Sequence, residues 1–328
     1  MPATDRPGRR AYLLLAALGV AWGIPYLLIK IAVEELHPTT LVLGRVVIAT
    51  ALMLPLAIAQ GALAGALRHW RVVVLYAVIE IVLPWFFLTR AEQHLPSSLT
   101  GLLIAGVPIV GVVIALVTRR SEHLGARGVA GLAGGLAGVA LLVGFESGAT
   151  GGGGEAQAVA ELGIVIVCYA IGPVIMSRYL AEAPATGVIA LSMATAAAVY
   201  AVPGVAYAPT QWPSAGVTAS VVALGVICTA LAFVIFFALV AEVGPVRSTL
   251  VTYLNPAVAV AAGALVLDEP ISWLTAAGFV LVLTGSALAS RRAPAEASEP
   301  AAPEAAPVVA EAEAAEAAEP SAAEAARG

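Results

Sequence analysis

The sequence predicts an all-α integral membrane protein of ten transmembrane helices, built as two inverted five-helix repeats. Three observations lead there: a composition too apolar to dissolve, ten stretches long enough to cross a bilayer, and a passage that the chain nearly writes twice.

Of the 328 residues, 60% are hydrophobic and 11% are charged. The mean hydropathy is +0.96. Soluble domains are about 45–50% apolar and about 25% charged, so this chain lacks the residues to coat its own core, and the lipid bilayer is its first expected partner. The net charge of −5 misleads: from Ala293 onward eight Glu stand against one basic residue, Arg327. Setting that −7 aside leaves a body at +2, which gives no sign of a nucleic-acid partner or an acidic substrate. Cys168 and Cys228 both lie in apolar runs, where a thiol behaves as a small hydrophobe. They imply neither a disulfide framework nor a metal site, and no cofactor motif is visible.

A crossing helix needs roughly 20 apolar residues. The first such stretch, Ala11–Ile31, follows basic residues as a secretory signal would. It exceeds the usual core of about 7–15 residues and holds Trp22, Pro25 and Lys30, so it reads as a retained helix. Thr40–Ala59, Val72–Thr89, Ser98–Val117 and Arg127–Gly144 follow as spans two to five. Spans six to ten are Val159–Ser177, Thr186–Val205, Val217–Val240, Arg247–Leu267 and Trp273–Ser290. None alternates like a barrel strand, and backbone groups in lipid must bond within their own helix.

Basic residues orient the spans. One set of ends carries Arg6, Arg9, Arg10, Arg68, Arg71, Arg119, Arg120, Arg127, Arg178, Arg247, Arg291 and Arg292; the other loops carry only Arg90. The excess marks the cytoplasmic side, so a multi-pass cell (inner) membrane protein with both termini cytoplasmic is expected. The resulting divisions are a cytoplasmic N-terminus (1–10), a first five-helix repeat (11–145), an external Gly-rich linker (146–157), a second repeat (158–290) and a cytoplasmic tail (291–328). The tail, rich in Ala, Glu and Pro, reads as disordered.

From Phe86 the chain reads "FFLTRAEQHLPSSLTGLLIAGVP", and from Phe236 "FFALVAEVGPVRSTLVTYLNP". A shift of 147 residues also matches Trp22 to Tyr169, Arg45 to Ser192, Glu122 to Glu269, Gly131 to Gly278 and Gly138 to Gly285. With a one-residue slip Pro25 meets Pro173 and Pro108 meets Pro256. Shared apolarity alone does not produce ordered Pro, Glu and Gly landmarks. Because each half holds five spans, the second copy enters the membrane from the opposite side, the inverted-repeat device of many transporters.

These landmarks resemble the EamA-like branch of the drug/metabolite transporter superfamily. The points of likeness are Trp22-Gly23 in span one, Arg45 early in span two, and a Pro in spans four and nine followed by a Glu at the exit and spaced glycines. Ser192 in place of an arginine, and Glu80 in span three, depart from the pattern. The likeness covers about residues 11 to 290. It implies ten helices and secondary transport of a small metabolite or drug, directed outward.

Charges inside spans are costly and default to functional candidates. Lys30, at the outer end of span one, is expected to snorkel to the headgroups. Arg45 has two open readings: snorkelling, or facing an anionic group of a substrate. Glu80 sits mid-span, roughly 12 Å from either interface at about 1.5 Å per residue, so it must be neutral, paired or facing water. It is the candidate for proton coupling. Pro25, Pro84, Pro108, Pro173 and Pro256 interrupt spans one, three, four, six and nine, and matched breaks in the two halves point to a midplane site. Pro25, Pro108, Pro173 and Pro256 are thus candidate breaks for gating, with Trp22, Tyr26, Arg45, Tyr169, Tyr253 and Asn255 as candidate substrate-binding residues. Glu122 and Glu269, at water-facing ends, either gate or favour the positive N-terminus of the next helix, where Pro270 suits the first position. In "GLAGGLAG", Gly131 and Gly135, like Gly134 and Gly138, keep the four-residue spacing that lets helices approach.

Catalysis has little support: His37, His69, His94 and His123 fall in loops or at span edges without ligand spacing. The expectation is a secondary transporter, an exporter of a small organic metabolite such as an amino-acid-like solute, working by alternating access. A broad-specificity drug exporter of the same fold is the alternative. An intramembrane enzyme or a sensor would need clustered ionisable groups or large soluble loops, and neither is visible. Oligomeric state is left open.

Overall fold

The computed structural model describes residues 8–117, 126–149, 154–244, 248 and 250–289. Glu122, Arg119, Arg120, Arg247, the glycines at 151–153 and the acidic tail lie outside the described residues. Among those described, the secondary structure is helical throughout, without a strand.

The helices are α1 (Arg9–Gly23), α2 (Pro25–Ala32), α3 (Pro38–Ala59), α4 (Ala62–Leu67), α5 (Trp70–Ala77), α6 (Leu83–Ala91), α7 (Ser97–Ile104), α8 (Val107–Val117) and α9 (Ala126–Ala149). They continue with α10 (Glu155–Tyr179), α11 (Ala185–Ala206), α12 (Ala215–Gly225), α13 (Ala232–Val243), α14 (Val251–Val266) and α15 (Trp273–Ala289). Helix occupies both ends of the stretch expected as a linker, since α9 runs to Ala149 and α10 starts at Glu155.

Among the described residues, seven helical stretches are long and apolar enough to cross a membrane: Arg9–Ala32, Pro38–Ala59, Trp70–Ala91, Ser97–Ile114, Glu155–Tyr179, Ala185–Ala206 and Ala215–Val243. Three shorter apolar helices, Gly128–Leu142, Val251–Val266 and Trp273–Leu288, fall where spans five, nine and ten are expected. Outward faces of long and short helices alike suit lipid: Val202 is 79% exposed and Leu265 83%.

Proline decides some helix boundaries and not others. Span one breaks at Ile24, between α1 and α2, just ahead of Pro25. Span four breaks between α7 and α8, just ahead of Pro108. The expected breaks at Pro173 and Pro256 are absent: both prolines lie inside continuous helices, α10 and α14. Neighbouring helices can keep these segments helical although each proline removes a backbone N–H.

The helices pair across the chain's midpoint. α3 lies along α11 and α9 along α15; α1 packs on α13 and α14, while α10 packs on α6 and α8. Without a hydrophobic drive between helices in lipid, close approach depends on small residues. A Cβ on Gly138 would lie 3.0 Å from the Gly278 carbonyl oxygen, and one on Gly285 would lie 2.7 Å from that of Gly131. The two contacts are reciprocal, because Gly131 corresponds to Gly278 and Gly138 to Gly285 under the 147-residue shift. Gly135 joins the same contact. Gly134 does not, having nothing within 4 Å of a built Cβ, so only one face of the glycine run packs as expected.

Candidate functional site

Two π-helical turns shape the site. Val78–Val82 joins α5 to α6, and Val226–Leu231 joins α12 to α13. Under the 147-residue shift they coincide to within two residues. In the first, the Leu83 N–H reaches back to the Val78 carbonyl; in the second, the Ala232 N–H reaches the Ile227 carbonyl. Pro84 accounts for the first turn, because it cannot donate to the Glu80 carbonyl four residues earlier. In the second, the Thr229 hydroxyl donates to the Leu224 carbonyl at 2.8 Å and competes with the backbone ladder. Each turn is also held from the opposite half. The Tyr200 hydroxyl on α11 donates to the Val82 carbonyl at 2.7 Å, and Arg45 Nε on α3 donates to Thr229 Oγ1 at 3.0 Å. π turns inside helices are frequent at functional sites.

Arg45 is buried and does not snorkel, which closes one of its two readings. Its guanidinium lies over the Trp85 ring, 3.5 Å from the centroid, a cation–π contact that strengthens where water is excluded. Cys228, Tyr169, Tyr26 and Glu92 are its electrostatic neighbours. Trp85 in turn lies within reach of the Tyr169 hydroxyl. Spans one, two, three, six and eight thus converge on one mostly neutral polar cluster.

Glu80 lies in the first π turn, within electrostatic reach of Tyr169. Its Oε2 is sealed from solvent and has no hydrogen-bond partner among the described residues. That oxygen sits against Gly172, where any Cβ would collide with it. Tyr76, Cys168 and Tyr169 lie within its electrostatic reach. Glu80 makes no ion pair among the described residues, which leaves a neutral acid or contact with water.

The other candidate residues divide. Tyr26 is buried and borders Arg45 and Tyr169. Trp22 packs tilted against Phe236 and edge-on against Phe233 of α13, with ring centroids 5.2 and 6.0 Å away, and so lies in a separate aromatic cluster. Asn255 presses on Gly23 through its backbone oxygen, while its side-chain Oδ1 is buried without a partner among the described residues. Tyr253 is half-buried, and no hydrogen bond or ring contact joins it to the Arg45 cluster.

Polar groups at the span ends correct three expectations. Lys30 does not reach toward headgroups: its ammonium donates to the carbonyls of Glu92 at 2.7 Å and Leu95 at 2.9 Å, closing the C-terminal end of α6. Glu269 accepts from the backbone N–H groups of Ser97 at 2.7 Å and Ser98 at 2.9 Å. It therefore caps α7 in the other half and not the helix that follows it. Pro270 lies outside the helix, because α15 starts at Trp273 and Ser272 caps it by accepting from the Thr275 N–H at 3.0 Å.

Sequence reading passed over four residues. Glu161, two residues inside expected span six, pairs with Arg90 at 2.7 Å. Glu92 is fully buried with neither carboxylate oxygen bonded among the described residues. Trp85 was visible beside Pro84. Thr229 carried no signal, since its role depends on Arg45 reaching it from 184 positions away.

The comparisons with known proteins agree with this architecture. An uncharacterized transporter of Bacillus subtilis (strain 168), YvbV, is 24% identical over 298 residues, covering 88% of this chain and 94% of the relative. A protein crystal structure matches with a TM-score of 0.61 at 24% identity, covering 85% of this chain and 97% of its own; it supports the fold alone. The EamA-like transporter family model matches twice, over residues 9–144 and 161–291. The chain is thus a multi-pass membrane transporter and belongs to the EamA-like transporter family.

Proposed function

We propose that this protein exports a small organic metabolite, such as an amino-acid-like solute, by alternating access of its two halves, with Glu80 coupling that movement to protons. The observation that carries the reading is that Arg45 and Glu80 both lie within electrostatic reach of Tyr169, each tied to a π turn where the halves meet. Tyr26, Arg45 and Tyr169 form the core of the substrate site. Trp22, Tyr253 and Asn255 belong to its wider wall as the cavity opens. The breaks at Pro25 and Pro108 serve as hinges, and Glu269, bound to α7, serves as an outer latch with Glu122 as its counterpart.

Ten helices in two inverted repeats supply the two access states. The twofold family match and the reciprocal glycine contacts support that arrangement. The arginine excess supports a location in the cell (inner) membrane with both termini in the cytoplasm. Labelling Gly152→Cys and Ser121→Cys in a chain without Cys168 and Cys228 should mark opposite sides; labelling of both from one side overturns the inverted repeat.

Flux into proteoliposomes across a metabolite panel tests the function. Glu80→Gln should keep exchange of substrate for substrate, which need not release a proton, and lose accumulation driven by a proton gradient. Gradient-driven accumulation at the unmutated rate would rule out Glu80 as the proton carrier.

A further inference from the structure

A buried charge ordinarily brings a counter-ion, because an unpaired ion out of water is costly. Arg45 has none. It is 6% exposed, and the ion pairs among the described residues are Arg10–Glu242 and Arg90–Glu161. Glu92 influences it only from a distance, since neither Glu92 oxygen makes a hydrogen bond there. The two groups that touch it, Thr229 and Trp85, are neutral, as are Cys228, Tyr169 and Tyr26 within its electrostatic reach.

The way Arg45 is held defines what is left over. Thr229 takes the Nε edge and Trp85 covers one face. No hydrogen bond joins the terminal nitrogens to the described residues. Yet these nitrogens are not among the buried unpartnered atoms, so they border accessible space. Two parallel N–H groups on a planar fork match two carboxylate oxygens. The fork is already oriented, so little side-chain freedom is lost when an anion docks.

We infer that Arg45 is the carboxylate-binding residue of the transport site, and that the substrate class is a carboxylate-bearing organic solute whose anion sits end-on against the guanidinium. The body of the solute lies against Trp85, Tyr26 and Tyr169. Thr229 is a positioning residue that keeps the fork aimed. Anchors on spans two, three and eight make the site a joint property of both halves. This inference rests on the transport reading and narrows its substrate.

The test offers the purified full-length protein the common L-amino acids and short monocarboxylates, each beside its own primary amide. Thermal stabilisation in detergent and counterflow in proteoliposomes are the readouts. At least one carboxylate should bind and exchange, with its amide at least about tenfold weaker, as expected when a charge-assisted hydrogen bond is lost. Arg45→Gln should abolish the preference. Arg45→Lys should keep the preference at lower affinity, since it keeps the charge and loses the fork. Should Arg45→Gln fail to fold, Thr229→Val serves instead: KM for the carboxylate rises with kcat preserved, and Thr229→Ser restores it. Equal binding of acid and amide, or a preference that survives Arg45→Gln, overturns the inference. So does stabilisation matched by equal concentrations of chloride. Transport of neutral or cationic solutes without any carboxylate preference sinks the inference and leaves the transport reading standing. A folded protein that moves nothing on the panel counts against both.

Discussion

The Glu80 carboxylate occupies the space that Gly172 leaves by having no side chain. A Cβ at Gly172 would overlap Oε2 and lie 2.7 Å from Cδ of Glu80. Since the atoms in the way are the end of a flexible side chain, the carboxylate can move without shifting the backbone. Gly172→Ala should therefore cost little stability, about 1 kcal/mol, at the low end for overpacking, while displacing the carboxylate and reducing proton-driven flux. In a Glu80→Ala background the same change should leave melting temperature unaffected. A large stability loss that persists in that background would place the clash elsewhere.

The contact between α9 and α15 predicts opposite outcomes for two glycines four residues apart. Gly138→Val should disrupt the pair, because Val282 N and Gly278 O lie 2.9 and 3.0 Å from a Cβ there; a loss of about 1–3 kcal/mol is expected. Gly134→Ala meets nothing within 4 Å and should stabilise by about 0.5–1 kcal/mol through helix propensity. Thermal melts in detergent distinguish them.

Glu269→Gln removes the charge that accepts the first N–H groups of α7. The expected cost is about 1 kcal/mol, the usual scale for a helix cap. Hydrogen exchange at Ser97 and Ser98 should rise while exchange in α11 stays unchanged.

Glu35 makes a pH-dependent tie outside the spans. Its carboxylate accepts from the Ser214 N–H at 2.8 Å, and hydrogen bonds from Ser214 lower its pKa from the ordinary 4.5. A lowered folded-state pKa means the tie is fully present above about pH 4.5 and lost as pH falls through the lower folded value. Protection against exchange at 209–214, relative to the intrinsic rate at each pH, should fall on acidification through that window. Glu35→Gln should show the lower protection already at neutral pH, and a variant whose protection still changes through that window would shift the tie to another group.

Much of this protein was legible in the order of its residues. Apolar length determined where helices run from Arg9 to Val243, because a membrane demands internally bonded helices of one minimum length. The 147-residue recurrence of Gly131 and Gly138 as Gly278 and Gly285 marked the packing contact between α9 and α15. The sequence also pointed to Arg45 and Glu80, since ionised side chains in lipid are costly enough to stand out. Tertiary structure decided what those residues touch. It turned Lys30 inward onto α6, sent Glu269 to α7, and kept α10 and α14 continuous through Pro173 and Pro256. It also joined Arg45 to Thr229 and Trp85. These outcomes escape sequence reading for one physical reason: periodicity records which way a helix faces along its own axis, whereas a hydrogen bond across 184 positions depends on where another helix arrives.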